Sequence, residues 1–418
     1  MIMARAQFRL ADPSSLSGLF RHVRGLTEWL ACPLTAEDQS IQSMPDASPT
    51  KWHLAHTTWF FENVVLLPHS PGYRSFDERY HVLFNSYYEA LGARHPRPKR
   101  GVLSRPAARE ILEYRDSVDD ALERFIARLE DRRVAELVVL GLHHEQQHQE
   151  LILTDIKHAF FQNPLLPSYA TPCLQAAQQT PAMEWFEHPG GVVEIGHDGE
   201  DFAFDNEGPR HEVLLRPFRL ASRPVTCGEY QSFIDDGGYT RPEFWLSDGW
   251  ALAQSECWKA PLYWLDDGAQ FTLHGPQPVA PDEPVCHVSL YEAAAYAAWA
   301  GKRLPTEFEW EAFAAGRSVR GHFLDPMHVH PRSAPANGLT QLFGDVWEWT
   351  RSSYDPYPGF RPFDGNLAEY NGKFMVGQSV LRGGSCATPA GHMRATYRNF
   401  FPPAARWQFS GIRLAEDA

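Results

Sequence analysis

The sequence predicts an α+β protein of two domains, a four-helix bundle followed by a domain of short strands and long loops. Three observations predict it. Apolar residues recur at three- and four-residue spacing through four stretches of the first part, the period of a helix with one buried face. Between about Gln162 and Pro181 that pattern breaks in a proline-punctuated segment, NPLLPSYATPCLQAAQQTP. Beyond it the texture changes to short apolar runs with frequent Gly, Pro and Trp. At 418 residues the chain is also longer than one ordinary core supports. The division expected is residues 1–170, a linker at 171–182 and a second domain at 183–418.

The first helix is expected over Leu16–Leu30 and the second over Trp52–Leu66, with Pro49 and Thr50 supplying its start. A third, Ala107–Leu129, begins after Pro106, and a fourth spans Val134–Phe160. Helices of this length in series suit an antiparallel bundle. Between the second and third lies His69–Arg105, rich in Pro, Gly, Arg and Tyr. A structureless stretch that long inside a compact domain is usually functional. In the second domain helices are expected around Thr226–Asp235 and Leu290–Ala300.

A net charge of −14 argues against nucleic acid as a partner, because phosphate binding needs a basic face. No run of about 18 apolar residues is present, so no membrane span is expected. The N-terminal MIMARAQFRLADPSSL has neither an apolar core nor a cleavage pattern, so no signal peptide is expected. The six cysteines are scattered singly, which suits reduced thiols, and the expected location is the cytoplasm.

The chemical signal is His144-Glu-Gln-Gln-His148 within the fourth helix. Positions i and i+4 share one helix face, so two imidazoles converge on one point. The second helix carries His53 and His56 in WHLAHTTWFFE. His56 lies on the apolar stripe of Trp52, Trp59 and Phe60 and should point inward, with His53 one turn earlier. A buried imidazole needs a partner, and a shared metal ion would satisfy several at once. Glu62 and Glu150 are close enough in sequence to accept ring N–H bonds. Three neutral histidines do not choose between zinc and iron.

The stretches QSMPDASPTKWHLAHTTWFFE, LFNSYYEALGARHPRPKRGVLSRP and GLHHEQQHQELILTDIKH resemble the ergothioneine-biosynthesis sulfoxide synthases. NEGPRHEVLLRPFRLASRPVTCGEYQSFI, GDVWEWT and LRGGSCATPAGHMRATYRNFFPPAARWQFSGIRLA extend the resemblance to the C-terminal end. It implies a DinB-like bundle followed by a formylglycine-generating-enzyme fold akin to C-type lectins. It implies Fe(II) held by His56, His144 and His148, and O2 as co-substrate. The implied reaction joins a thiol, cysteine or γ-glutamylcysteine, to the imidazole carbon of hercynine, the betaine of histidine, and leaves a sulfoxide. A proton or hydrogen donor is needed near such an iron, and Tyr87 and Tyr88 in NSYYE fill that role by resemblance. Being adjacent, they are expected to diverge, with at least one facing the metal.

Arg97 and Arg100, from the basic run RHPRPKRGVLSR, are expected to hold the sulfur donor's carboxylate. Gln147 is expected on the betaine, and Asn399, Phe400 and Phe401 match the substrate-pocket loop, where aromatic faces suit a trimethylammonium. GGS, GDVWEWT and AGKRLPTEFEWE read as scaffold. A single cysteine, Cys386, stands where formylglycine-generating enzymes carry a copper-binding pair, so that activity is not expected. The alternatives are a selenoneine synthase taking a selenosugar, a zinc thiol-transferase, and a non-catalytic ligand-binding module.

Overall fold

The computed structural model describes residues 15–171, 178–199, 201–325, 328–363 and 365–418. Residues 1–14, most of the stretch read for a targeting signal, and residues 172–177 of the expected linker lie outside the described residues. The chain divides into two compact units, Met1–Asn163 and Pro164–Ala418.

The first unit is built on α1 (Leu16–Ala31), α2 (Thr50–Phe60), α3 (Ala108–Ile126) and α4 (Arg132–Phe161). Their starts follow local chemistry. The Ser15 hydroxyl accepts from Gly18 N–H at 3.0 Å and opens α1, and Asp131 accepts from Arg133 N–H at 2.9 Å and opens α4. Pro49 stands before α2 as expected. Every residue of α2 is buried, so it is the central rod. Its end departs from the expected regular helix: Phe61–Leu66 widens into a π-helical turn.

Two features lock the rods together. Gly141 of α4 faces that wide turn so closely that a Cβ there would meet the Phe61 ring at 2.5 Å and the Phe60 ring at 3.0 Å. Glu145, fully buried, accepts from Thr27 Oγ1 at 2.6 Å, Arg24 Nη1 at 2.8 Å and Arg115 Nη2 at 2.6 Å, tying α4 to α1 and α3. Burial alone would raise its carboxyl, but Arg115 and Arg24 outweigh that and hold it down at about 2. Arg24 reaches on to Asp119 and Arg115 to Glu28, so neither guanidinium is left uncompensated.

The second unit opens with β1 (Trp185–His188), β2 (Gly191–Ile195), β3 (His211–Leu215) and β4 (Phe218–Ala221). It continues through α5 (Cys227–Asp235), α6 (Ser247–Ser255), β5 (Ala269–Thr272), β6 (Gly275–Pro278), α7 (Leu290–Trp299) and α8 (Glu307–Ala314). It closes with β7 (Trp347–Ser353), β8 (Ser379–Arg382), β9 (Asn399–Phe401), β10 (Ser410–Gly411) and β11 (Ala415–Asp417). The strands form a three-stranded sheet β1-β4-β11, a four-stranded sheet β10-β7-β8-β9, and the pairs β2-β3 and β5-β6. Reciprocal capping boxes start α5, α7 and α8 at Thr226/Glu229, Ser289/Glu292 and Thr306/Glu309. α6 and α8 were not anticipated, although the box in TEFE marks α8.

GDVWEWT and GGS, read as scaffold, are built into the buried interior of the second unit. In GDVWEWT, the fully buried Glu348 accepts from Arg413 Nε at 2.8 Å and Trp310 Nε1 at 2.7 Å, and Trp349 Nε1 donates to the Val288 carbonyl at 2.9 Å. In GGS, Gly383 has φ 97° and its missing Cβ would sit 2.7 Å from the Leu342 carbonyl oxygen, so the turn admits no side chain. Arg398 pairs with Glu307, both buried, and the partly exposed Arg394 pairs with the buried Glu207. A core of Leu215, Phe218, Leu220, Trp310, Phe313 and Phe343 lies between these elements.

Candidate metal centre

Three imidazoles from two rods meet inside the first unit. One ring nitrogen from each of His56, His144 and His148 lies within 4.8 Å of the other two. All three residues are buried, His56 at 0%, His144 at 2% and His148 at 8% exposure. The i, i+4 spacing delivers His144 and His148 on one face of α4, and the inward stripe of α2 delivers His56. The structure thus brings together the three histidines that the sequence reading grouped.

Each ring is held in place. His56 is sandwiched between the indoles of Trp52 and Trp59, with centroids at 4.6 and 5.7 Å. Its Nδ1 bonds the Phe84 carbonyl at 2.7 Å. A carbonyl only accepts, so Nδ1 carries the proton and Nε2 is left as a lone pair. That Nε2 is buried with no hydrogen-bond partner among the described residues, the condition a metal ion relieves. His144 packs against the Phe60 ring at 4.8 Å. Burial pulls His56 and His148 well below the usual imidazole range and His144 down to about 3, so all three are neutral at physiological pH. Neutral imidazole is the form that binds metal. The donor set therefore fits a transition-metal ion.

The second layer differs from expectation. His148 Nδ1 meets His53 Nδ1 at 2.8 Å, and His53 Nε2 meets Asp155 Oδ2 at 3.0 Å. Glu62 does not serve the histidines: Tyr73 Oη, Phe76 N–H and Tyr114 Oη occupy its oxygens at 2.9, 2.9 and 2.7 Å. Glu150 is half-buried further along α4. Asp155, missed in the sequence, lies two helical turns beyond His148 and so on its face, a spacing that could have found it.

The remaining expected residues divide. Tyr88 is fully buried and stacks on Trp59 at 5.7 Å. Tyr87, half-buried, does not diverge from it: the two rings stack at 4.6 Å, because Asn85 bonds both the N–H and the carbonyl of Tyr88 and folds the chain there. Arg100 turns inward and Arg97 stays exposed, bonding the Asp46 carbonyl. The Arg100 guanidinium lies 3.3 Å from the Trp52 ring centroid and, among the described residues, bonds the hydroxyls of Ser48 and Ser86 alone. Burial first, then the nearby Arg97, pushes its pKa down. Gln147 is half-buried on α4. In the second unit Asn399, Phe400 and Phe401 form β9, where Phe400 stacks on Tyr354 at 4.0 Å and Phe401 meets Trp407 edge-on at 5.8 Å. No helix among the described residues is long and apolar enough to cross a membrane.

Comparison with known proteins places both units. Residues 19–152 match the DinB superfamily, and residues 171–333 and 322–418 match the sulfatase-modifying factor enzyme 1-like domain. The hercynine oxygenase of Mycolicibacterium thermoresistibile is 36% identical over 89% of this chain and 88% of its own length. That of Mycobacterium tuberculosis is 35% identical over 89% of this chain and 92% of its own length. A formylglycine-generating enzyme of Streptomyces coelicolor is 30% identical over 55% of this chain. An enzyme family thus accounts for both units in their order, and the reading as a non-catalytic binding module falls away. The chain is an oxidoreductase and belongs to the hercynine oxygenase family.

Proposed function

We propose that this protein is a hercynine sulfoxide synthase, an Fe(II)- and O2-dependent enzyme that joins a small thiol, cysteine or γ-glutamylcysteine, to the imidazole carbon of hercynine. In the balanced reaction hercynine, the thiol and one O2 give the sulfoxide and one water. The ring C–H and the S–H bonds break, the C–S and S–O bonds form, and O2 takes up the four electrons. The observation that carries this reading is the buried trio His56, His144 and His148. Iron held by three neutral nitrogens keeps open positions at which substrates and oxygen meet.

The chain's own residues supply the rest. The two indoles around His56 hold that ligand rigid and exclude water from its ring. Arg100 is a buried cation with no carboxylate in ion-pair reach among the described residues, which suits it to the thiol donor's carboxylate. Arg97 is the outer member of that pair. Tyr87 and Tyr88 offer phenolic protons, and Gln147 an amide for the betaine. On the family pattern Asn399, Phe400 and Phe401 contact the substrate, aromatic faces being worth about 1–2 kcal/mol to a desolvated trimethylammonium. A cytoplasmic location goes with this reading.

Anaerobic loading with Fe(II), followed by air, hercynine and each candidate donor, tests the assignment by product mass spectrometry. The expected result is a sulfoxide adduct with O2 uptake that needs both substrates. O2 uptake indifferent to hercynine, or an adduct formed only with a selenosugar, overturns it. Full activity with zinc and none with iron overturns the choice of metal.

A further inference from the structure

We propose that Asp155 and His53 form a hydrogen-bonded relay that fixes His148 with Nε2 turned to the metal position, making both of them positioning residues for the metal centre. The inference rests on the reading that His56, His144 and His148 hold a metal ion.

Donors and acceptors alternate along a chain of three side chains, Asp155, His53 and His148. Asp155 Oδ2 accepts the Ser48 backbone N–H at 2.8 Å, and a carboxylate has no proton to give. The His53 Nε2 at 3.0 Å must therefore be the donor. A neutral His53 with its proton on Nε2 has a lone pair on Nδ1. His148 Nδ1, 2.8 Å from that atom, must then donate. One proton remains to the neutral His148 ring, and it is spent on Nδ1, so Nε2 is a lone pair. His56 reaches the same tautomer through a backbone carbonyl. Two ligands on two rods are thus turned the same way by two unrelated acceptors.

The location is built for the task. His53 is 2% and Asp155 6% exposed, so water does not compete for either bond. Both stand outside the ligand set, yet each shares a helix with one: His53 lies one turn before His56 on α2, and Asp155 two turns after His148 on α4. The relay consequently spans the two rods that must stay in register for the site to close. Carboxylate–imidazole partners of this kind typically change metal affinity by about 10–100-fold when removed.

The test titrates the metal-free full chain anaerobically with Fe(II) and, separately, with Co(II), whose visible spectrum reports ligand geometry. His53→Phe keeps the ring's bulk and removes the acceptor. His53→Asn restores an acceptor, its amide oxygen falling near the place of Nδ1. Expected are Fe(II) affinity weakened about 10–100-fold and an altered Co(II) spectrum in His53→Phe, with most of the loss recovered in His53→Asn. A metal-free melting temperature equal in the two variants shows that the difference between them is not one of folding. Wild-type affinity and spectrum in His53→Phe overturn the relay alone, as does a His53→Asn no better than His53→Phe. Failure of the wild-type chain to bind either ion overturns the metal reading and the relay with it.

Discussion

Replacing Gly141 by alanine sets two effects of opposite sign against each other. In a helix interior alanine is favoured over glycine by about 1 kcal/mol. Here the new methyl would stand 2.5 Å from the Phe61 ring, about 1 Å inside ordinary contact. The ring cannot easily retreat. It is fully buried, meets Phe20 edge-on at 5.8 Å and has the Arg24 guanidinium 5.4 Å from its centroid, and Arg24 is itself held by Glu145. Overpacking of this kind costs about 1–3 kcal/mol. The net expectation is a loss of up to about 2 kcal/mol, a few degrees in melting temperature for a unit of this size. The more telling readout is the metal. Position 141 is one turn before His144, so displacing α4 by even half the overlap moves two ligands together. Calorimetric melting and Fe(II) titration of the variant measure the two effects separately. A variant about 1 kcal/mol more stable than wild type, with unchanged affinity, would show that the contact is slack and refute the reasoning.

Glu145→Gln removes the charge that two buried guanidiniums share, at about 1.5–3 kcal/mol per charge-assisted bond; a loss of about 3 kcal/mol in urea unfolding is expected. Because that carboxyl is held down at about 2, its contribution is complete above the ordinary glutamate range near pH 4.5 and is lost as pH falls toward 2. Denaturant midpoints between pH 6 and 3 should therefore fall more steeply in the wild type than in Glu145→Gln. His148→Ala should abolish the rise in melting temperature that Fe(II) gives the wild type, a rise worth about 2.7 kcal/mol at a hundred times Kd. Arg413→Met removes the charge partner that buried Glu348 has among the described residues and should cost the second unit about 3–5 kcal/mol, read in its thermal transition.

The four main helices were legible because apolar residues recur along each with a helical period, even in α2, which is buried on every side, and the ligand pair because i, i+4 needs no tertiary knowledge. His53 was visible as an inward residue, but its role depends on a ring on another helix, which spacing within α2 does not encode. Sequence proximity misled for Glu62: it sits in the wide turn, where its side chain swings to Tyr73 and Tyr114 instead of the histidines. Nothing in FENVVL announces that turn, since it holds neither Gly nor Pro and the apolar pattern runs on. The second unit was legible as strands and tight turns, whereas its buried Glu–Arg pairs join residues as distant as Glu307 and Arg398. No local rule links such positions.

The π-helical turn at Phe61–Leu66 keeps two sets of side chains in phase along one rod. Upstream, the imidazoles look toward α4; from the turn itself, Glu62 looks toward two phenols. A regular α-helix advances each residue by roughly 100°, whereas the wider coil advances it by less, and that slack lets both sets keep their partners. Deleting one residue here, such as Asn63, whose amide bonds back to the Trp59 carbonyl at 2.9 Å, would tighten the coil and rotate one set away. Length in this short stretch is therefore under the same constraint as the identity of the ligands, though no ligand lies within it.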